Sequence, residues 1–122
     1  MTAAAIVFAV LAGAAAAIQV ALTLGAPLGH LTLGGFHRGR LPGHLRVATA
    51  AQAALLGGMA LAVLDAGGVI ALGLPRWTLW AVAAVTALAT LANAATPSAA
   101  ERRTGLPLAA GMFLSALAVA LG

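Results

Sequence analysis

Cysteine and lysine are absent from this chain of 122 residues, and charge of either sign is scarce. Without cysteine the protein has no disulfide, no thiol redox chemistry, no zinc–thiolate site and no cysteine nucleophile. Charged residues make up 7% of the sequence, whereas a soluble domain carries about 25%. So few charges cannot cover a water-facing surface, and lipid must therefore supply much of the solvent around this chain.

Acidic residues are limited to Asp65 and Glu101, and both fall at the edges of apolar segments. Small four-helix multidrug transporters, which are of similar size, depend on a glutamate embedded within a span. A haem-bearing helical bundle needs an axial ligand such as histidine, and no apolar segment here contains one. Paired carboxylates and Ser–His–Asp sets are not apparent either. The sequence therefore predicts neither an enzyme nor a bound cofactor.

Four apolar segments rich in alanine, leucine and glycine make up most of the chain. The sequence predicts transmembrane spans at about residues 3–24, 46–64, 77–95 and 106–121. At about 1.5 Å per residue the first span is roughly 33 Å long, enough to cross a hydrocarbon core of roughly 30 Å. The predicted fold class is all-α, a transmembrane four-helix bundle that forms a single integral membrane domain over residues 1–122.

The ends of these segments are less clearly marked. Asp65 followed by two glycines predicts a stop or kink in the second helix, although residues 69–74 are apolar again. The stretch Ser98-Ala-Ala-Glu101 has capping-box form, so Pro107 either kinks a helix that begins earlier or marks the true start of the span. Residues 1–17 lack the basic start of a signal peptide, and we expect them to remain as part of the first helix.

The arginines are distributed unequally between the connections. The first connection, about residues 25–45 and called loop one below, falls on the same side as the third connection if all four segments span. The two connections and their edges carry five arginines (Arg38, Arg40, Arg46, Arg102, Arg103), against Arg76 alone on the other side. The positive-inside bias predicts that loop one is cytoplasmic and that both termini are extracytoplasmic. An arginine-rich, lysine-free composition dominated by alanine is typical of bacterial genomes of high GC content, which favours a bacterial inner membrane.

Helices in lipid have no hydrophobic driving force for association, and small residues let their backbones approach closely. Small residues within the segments therefore predict close helix packing. These residues are Ala12, Gly13, Ala16, Ala17, Gly57, Gly58 and Gly111. The expected partner is the lipid bilayer, together with a second copy of the chain or a larger membrane complex. Nucleic acid is not expected, because six scattered arginines form no basic stripe.

Three side-chain amides, Gln19, Gln52 and Asn93, are predicted to lie at similar depth in the cytoplasmic half of the bundle. Amides in lipid tend to pair across helices, and each pair contributes roughly 0.6–2 kcal/mol. One interpretation is therefore that they hold the helices together. The alternative is a polar pocket, open toward loop one, that holds a lipid headgroup or a small polar ligand.

Loop one is longer than the 2–8 residues usual in a helical bundle, and such loops are often functional. His30, His37 and His44 recur every seven residues, but the glycines between them and Pro42 disfavour one continuous helix. No carboxylate or thiolate stands nearby, so no metal site is predicted. Attraction to phosphate headgroups is the simpler interpretation. The candidate headgroup-binding residues are His30, His37, Arg38, Arg40, His44, Arg46, Arg102 and Arg103.

The sequence contains a set of short motifs: Gly25-Ala-Pro-Leu-Gly, Gly34-Gly, Leu41-Pro42, Leu45-Arg46, Asn93, Ser98 and Glu101-Arg102. This set resembles the pattern of a family of small uncharacterised bacterial four-span integral membrane proteins. The resemblance covers most of the chain in layout and implies the same four-span topology. That family has no assigned activity, so the resemblance implies nothing about mechanism.

Two functions of different class follow from these observations. The first is a non-enzymatic structural or accessory membrane component, packed against itself or a larger complex. The second is a small transporter or a lipid- or headgroup-binding protein that uses the polar pocket and loop one. A bound lipid or solute that is lost when Gln52 or Asn93 is replaced would favour the second.

Overall fold

A computed structural model describes residues 2–122 of the chain. Within that range the protein forms four α-helices, each long and apolar enough to cross a membrane, and no strand. The helices are α1 (Thr2–Thr23), α2 (Gly43–Ala66), α3 (Trp77–Ala95) and α4 (Ala99–Leu121). The predicted all-α, four-helix fold class is confirmed, and the architecture is compatible with a multi-pass membrane protein.

The start of α4 differs from the predicted span, which begins at residue 106. The helix begins seven residues earlier, at Ala99, because Ser98 caps it: the Ser98 Oγ accepts a hydrogen bond from the Glu101 backbone N–H at 3.1 Å. This bond satisfies one of the helix donors that have no intrahelical partner. Pro107 consequently lies inside α4 rather than at its start.

The second helix ends at Ala66, one residue beyond the predicted stop at Asp65. Residues 67–76 are not helical. The Asp65 carboxylate organises them by accepting three backbone hydrogen bonds, from Leu72, Gly73 and Leu74, at 2.6, 3.1 and 3.0 Å. An acidic residue at the end of this apolar segment therefore shapes the connection that follows it.

The helices are arranged as an incomplete ring in the order α2, α1, α4, α3. Three neighbouring pairs pack closely, namely α1 with α2, α3 with α4, and α1 with α4. By contrast, α2 and α3 contact each other sparsely although they follow one another in sequence. The bundle is thus closed on three sides and loosely packed on the fourth.

The hydrophobic core occupies only one half of the bundle. Its largest buried members include Phe8 of α1, Val63 of α2 and Leu79 of α3, all 0–1% exposed, and Met112 and Val119 complete it from α4. These residues lie near the beginning of α1 and α3 and near the end of α2 and α4. We call this half the terminal half and the opposite one, next to loop one, the loop-one half.

Glycines serve helix packing at fewer positions than the sequence predicts. Gly111 of α4 does receive a neighbour, since a Cβ there would lie 2.7 Å from Leu11 Cδ1 of α1. Gly13, Gly57 and Gly58 have no atom of another helix within 4 Å of the position a Cβ would take, so the prediction of close helix contact within the chain is wrong at these three. All three are exposed.

Candidate functional site

Loop one folds back over the loop-one end of the bundle and is fastened to the start of α4. It contains two short 3-10 turns, Gly29–Leu31 and Leu33–Gly35. Ser98 Oγ donates a hydrogen bond of 2.7 Å to the carbonyl oxygen of His30, and Glu101 Oε2 accepts one of 2.8 Å from the Gly34 N–H. Ser98 therefore both caps the helix and holds the loop, and the Glu101 carboxylate holds the loop beside it.

Two glycines make this close docking possible. At Gly35, which has φ +73°, a Cβ would lie 2.5 Å from Ser98 Cβ. At Gly29, a Cβ would collide with the carbonyl oxygen of His37 and approach that of Gly39 to 2.7 Å. Because these neighbours are a helix cap and backbone atoms, neither can move away at low cost.

Behind the loop lies a cavity of about 570 Å³ in the loop-one half of the bundle. All four helices and residues 31–34 of loop one line it, and Met59 and Met112 separate it from the core of the terminal half. Its volume falls within the roughly 300–1,000 Å³ of small-molecule sites. The polar side chains on its wall are Gln19, Thr32, Gln52, Thr86, Asn93, Thr96, Glu101 and Thr104.

The three amides predicted from the sequence thus lie on the wall of one cavity. Asn93 Nδ2 donates a hydrogen bond of 2.7 Å to Ala89 O of its own helix. Its Oδ1 fills the space next to Gly105 of α4, where a Cβ would collide with it. Gln19 Oε1 is buried and has no hydrogen-bond partner among residues 2–122. Among residues 2–122, neither Asn93 nor Gln19 forms a hydrogen bond with a side-chain amide of another helix.

The cavity opens sideways, where α2 and α3 are loosely packed. Leu55 and Val85 stand at this opening and are 52% and 37% exposed. From there an apolar groove of about 380 Å³ continues between α2 and α3 as far as Trp77, lined by small residues such as Gly58, Ala62 and Ala81. The cavity and the groove share Leu55, Met59 and Val85 in their walls, so the two spaces adjoin each other.

The basic residues predicted to bind headgroups do not line this cavity. His37, Arg38, Arg40, His44, Arg102 and Arg103 are exposed on the surface of the loop-one end, and His30 and Arg46 are partly buried. Arg46 Nε donates to the carbonyl of Thr23 at 2.8 Å, and Arg102 Nη1 donates to that of Thr96 at 2.8 Å. Within residues 2–122 no group of three potential metal ligands occurs.

Sequence reasoning missed Glu101, Thr86, Thr96 and Thr104 as cavity residues. Glu101 carried a usable signal, because it is one of two acidic residues and belongs to a capping box. The threonines carried none. Thr86 is fully buried, and its hydroxyl donates to the carbonyls of Val82 and Ala83 in its own helix, which is what a structural threonine also does.

Comparisons with family models, curated proteins and solved structures found no match for this chain. Its geometry nevertheless gives a physical role to several of the short motifs noted in the sequence. Gly34-Gly35, Ser98 and Glu101 form the contact between loop one and α4. Of these residues, Gly34 and Glu101 also line the cavity.

The unpaired Gln19 amide leads to a first prediction. We expect Gln19→Leu to leave thermal stability unchanged or to raise it by about 1 kcal/mol, because an unsatisfied buried polar atom costs about 1–3 kcal/mol. Thermal unfolding in detergent measures the effect. Thr49→Val is the control: Thr49 and Thr23 share a hydrogen bond of 2.8 Å between α2 and α1, and its loss is expected to cost about 1 kcal/mol. Destabilisation by Gln19→Leu equal to that of the control would show that Gln19 holds helices together.

Proposed function

We propose that this chain is a non-enzymatic integral membrane protein that binds a single-chain amphiphile. The polar end of the ligand occupies the cavity in the loop-one half, and its hydrocarbon chain lies in the groove between α2 and α3. The observation that carries this proposal is that a largely apolar cavity with polar side chains on its wall adjoins an apolar groove. Of the two functions that the sequence leaves open, this geometry favours the binding protein over the purely structural component.

Both spaces are mainly apolar, but polar side chains are concentrated on the wall of the cavity. The cavity wall carries three amides, several hydroxyls and one carboxylate. Thr78 is the only hydroxyl-bearing residue among those that line the groove, and the others there are apolar. A buried amide such as that of Gln19 is stabilised by a ligand that supplies its missing hydrogen bond.

The dimensions suit one chain rather than two. From Gln52 to Ala62 the space follows α2 for ten residues. At about 1.5 Å per residue this corresponds to roughly 15 Å, the length of an alkyl chain of about a dozen carbons. The groove has a volume of about 380 Å³, smaller than that of the cavity. We therefore propose single-chain amphiphiles and not two-chain phospholipids as ligands.

The position of the opening favours lateral exchange with the membrane over transport across it. The core of the terminal half closes the far side of the cavity, and residues 31–34 of loop one cover the near side. The remaining opening lies between two helices, each apolar enough to face lipid. A ligand dissolved in the bilayer would reach the cavity through this opening without passing through water.

We further propose that the protein resides in a bacterial inner membrane with loop one in the cytoplasm. Five of six arginines lie at the loop-one end, whereas Arg76 alone lies at the opposite end. We expect a reporter fused after Gly122 to report an extracytoplasmic location, because both termini lie opposite the basic end. The same reporter inserted after Arg38 is the control and is expected to be cytoplasmic. A cytoplasmic reporter at Gly122 would show that the proposed orientation is wrong. It would leave the binding proposal unaffected.

The binding proposal is tested with delipidated protein in mild detergent and a saturated twelve-carbon alcohol as the probe. We expect saturable binding with one probe per protein, observed by native mass spectrometry. Trp77→Leu shortens the groove wall and is expected to weaken binding only slightly. Gln19→Leu removes a polar contact and is expected to weaken binding more. Absence of a saturable one-to-one complex would exclude the proposal.

A further inference from the structure

Glu101 is the only acidic residue at the loop-one end of the bundle, since Asp65 lies at the opposite end of α2. It is partly buried, and it lines the cavity together with the three amides. Its capping function uses the backbone N–H, which donates to Ser98 Oγ. The carboxylate itself is therefore not consumed by the cap.

The carboxylate is held in place by neutral donors. Its Oε2 accepts hydrogen bonds from the Gly34 N–H at 2.8 Å and from the Thr96 hydroxyl at 3.2 Å. Both bonds go to one oxygen, so the second oxygen, Oε1, keeps its capacity to accept. Neutral donors orient a carboxylate but do not cancel its charge, which stays available to a cationic partner.

No arginine or histidine stands among the residues that line the cavity. Arg102 is next to Glu101 in sequence, but its guanidinium donates to the carbonyl oxygen of Thr96, and its side chain is exposed. The cavity wall thus combines one negative charge with uncharged amides and hydroxyls. An anionic headgroup placed there would meet a like charge at low dielectric, which is unfavourable.

We infer that the polar end bound in the cavity is a hydrogen-bond donor without negative charge, and that a primary ammonium group binds most tightly. This inference rests on the proposed function and names the class of its ligand. The ammonium group would pair with Glu101 and donate its other protons to the amide oxygens, including the unpartnered Gln19 Oε1. A hydroxyl group makes the same neutral contacts without the ion pair. Carboxylates and phosphates are excluded by charge.

The test uses four probes with one saturated twelve-carbon chain in common: the primary amine, the alcohol, the carboxylic acid and the phosphate monoester. Binding to the delipidated full chain is measured by native mass spectrometry and by titration calorimetry in neutral detergent. We expect the amine to bind about tenfold more tightly than the alcohol, as a charge-assisted hydrogen bond allows. The acid and the phosphate are expected to bind more weakly than the alcohol.

Glu101→Gln separates charge from structure, because the amide oxygen of glutamine still accepts the hydrogen bond from Gly34. In this variant the amine is expected to lose its tenfold advantage over the alcohol, and a thermal unfolding temperature in detergent equal to that of the unmodified protein reports an intact fold. Asp65→Asn removes the other carboxylate of the chain, far from the cavity, and is expected to leave all four affinities unchanged.

The outcomes distinguish the two proposals. Equal affinity for the four probes, or a preference for the acid or the phosphate, would overturn the inference on the headgroup and leave amphiphile binding in place. An amine preference that persists in Glu101→Gln would overturn the role of Glu101. Failure of every probe to bind would remove the proposed function, and the inference with it.

Discussion

Gly29→Ala is expected to destabilise the protein by up to about 3 kcal/mol, the upper range for adding a methyl group to a tightly packed site. The added Cβ would collide with the carbonyl oxygen of His37 and approach that of Gly39, and Gly29 is buried. The Gly29 N–H also donates to Gly39 O at 2.8 Å. Displacement of either of these two segments of loop one would break this bond. Thermal unfolding in detergent measures the loss.

Gly43→Ala is the matched control for this substitution. Gly43 is the first residue of α2, and nothing lies within 4 Å of the position its Cβ would take. Alanine is favoured over glycine in a helix, so stability is expected to remain or to rise slightly. If Gly29→Ala unfolds at the same temperature as Gly43→Ala, loop one is not packed against itself as the structure describes.

Ala89→Phe is expected to abolish amphiphile binding, with an affinity loss of at least two orders of magnitude, or roughly 2.8 kcal/mol. Ala89 lies on α3 in the wall of the cavity, between the levels of Thr86 and Asn93. A phenyl ring at this position would occupy the space meant for the polar end of the ligand. Because it fills a cavity rather than overpacking a core, the folded state is expected to be no less stable.

Ala84→Phe places the same ring on an exposed face of the same helix, away from the cavity and the groove. Binding is expected to match that of the unmodified protein. Calorimetric titration of both variants with the twelve-carbon amine compares them directly. Equal binding by Ala89→Phe and the unmodified chain would mean that the ligand does not use this cavity.

The sequence was sufficient for the fold because hydropathy alone marks segments long enough to span a membrane. It could not give the order of the helices around the bundle, since segments apolar on nearly every face carry little information about their neighbours. The gap between α2 and α3, and hence the opening of the cavity, was therefore beyond prediction. For the start of α4 the sequence left two alternatives, and the structure has the earlier one, in which Ser98 caps a helix that begins before the apolar segment.

The candidate site could be predicted in part. The similar depth of Gln19, Gln52 and Asn93 followed from counting residues from the predicted span ends, and the structure places all three on one cavity. Which glycines matter could not be predicted, because Gly111 and Gly57 both lie within apolar segments. A Cβ at Gly111 would meet Leu11 of another helix, whereas one at Gly57 would face open space. Only the folded chain distinguishes them.

Trp77 provides the most direct measurement of whether a single-chain amphiphile occupies the cavity and its groove. It lines the end of the groove farthest from Gln52, and Trp80→Phe leaves it as the only tryptophan of the chain. A twelve-carbon amine brominated at its chain end is added at low proportion to protein in bilayers of zwitterionic lipid. Saturable quenching of Trp77 fluorescence at one probe per protein, reversed by the unbrominated amine, is the predicted result. Quenching that rises linearly with the probe and is not reversed would contradict the account.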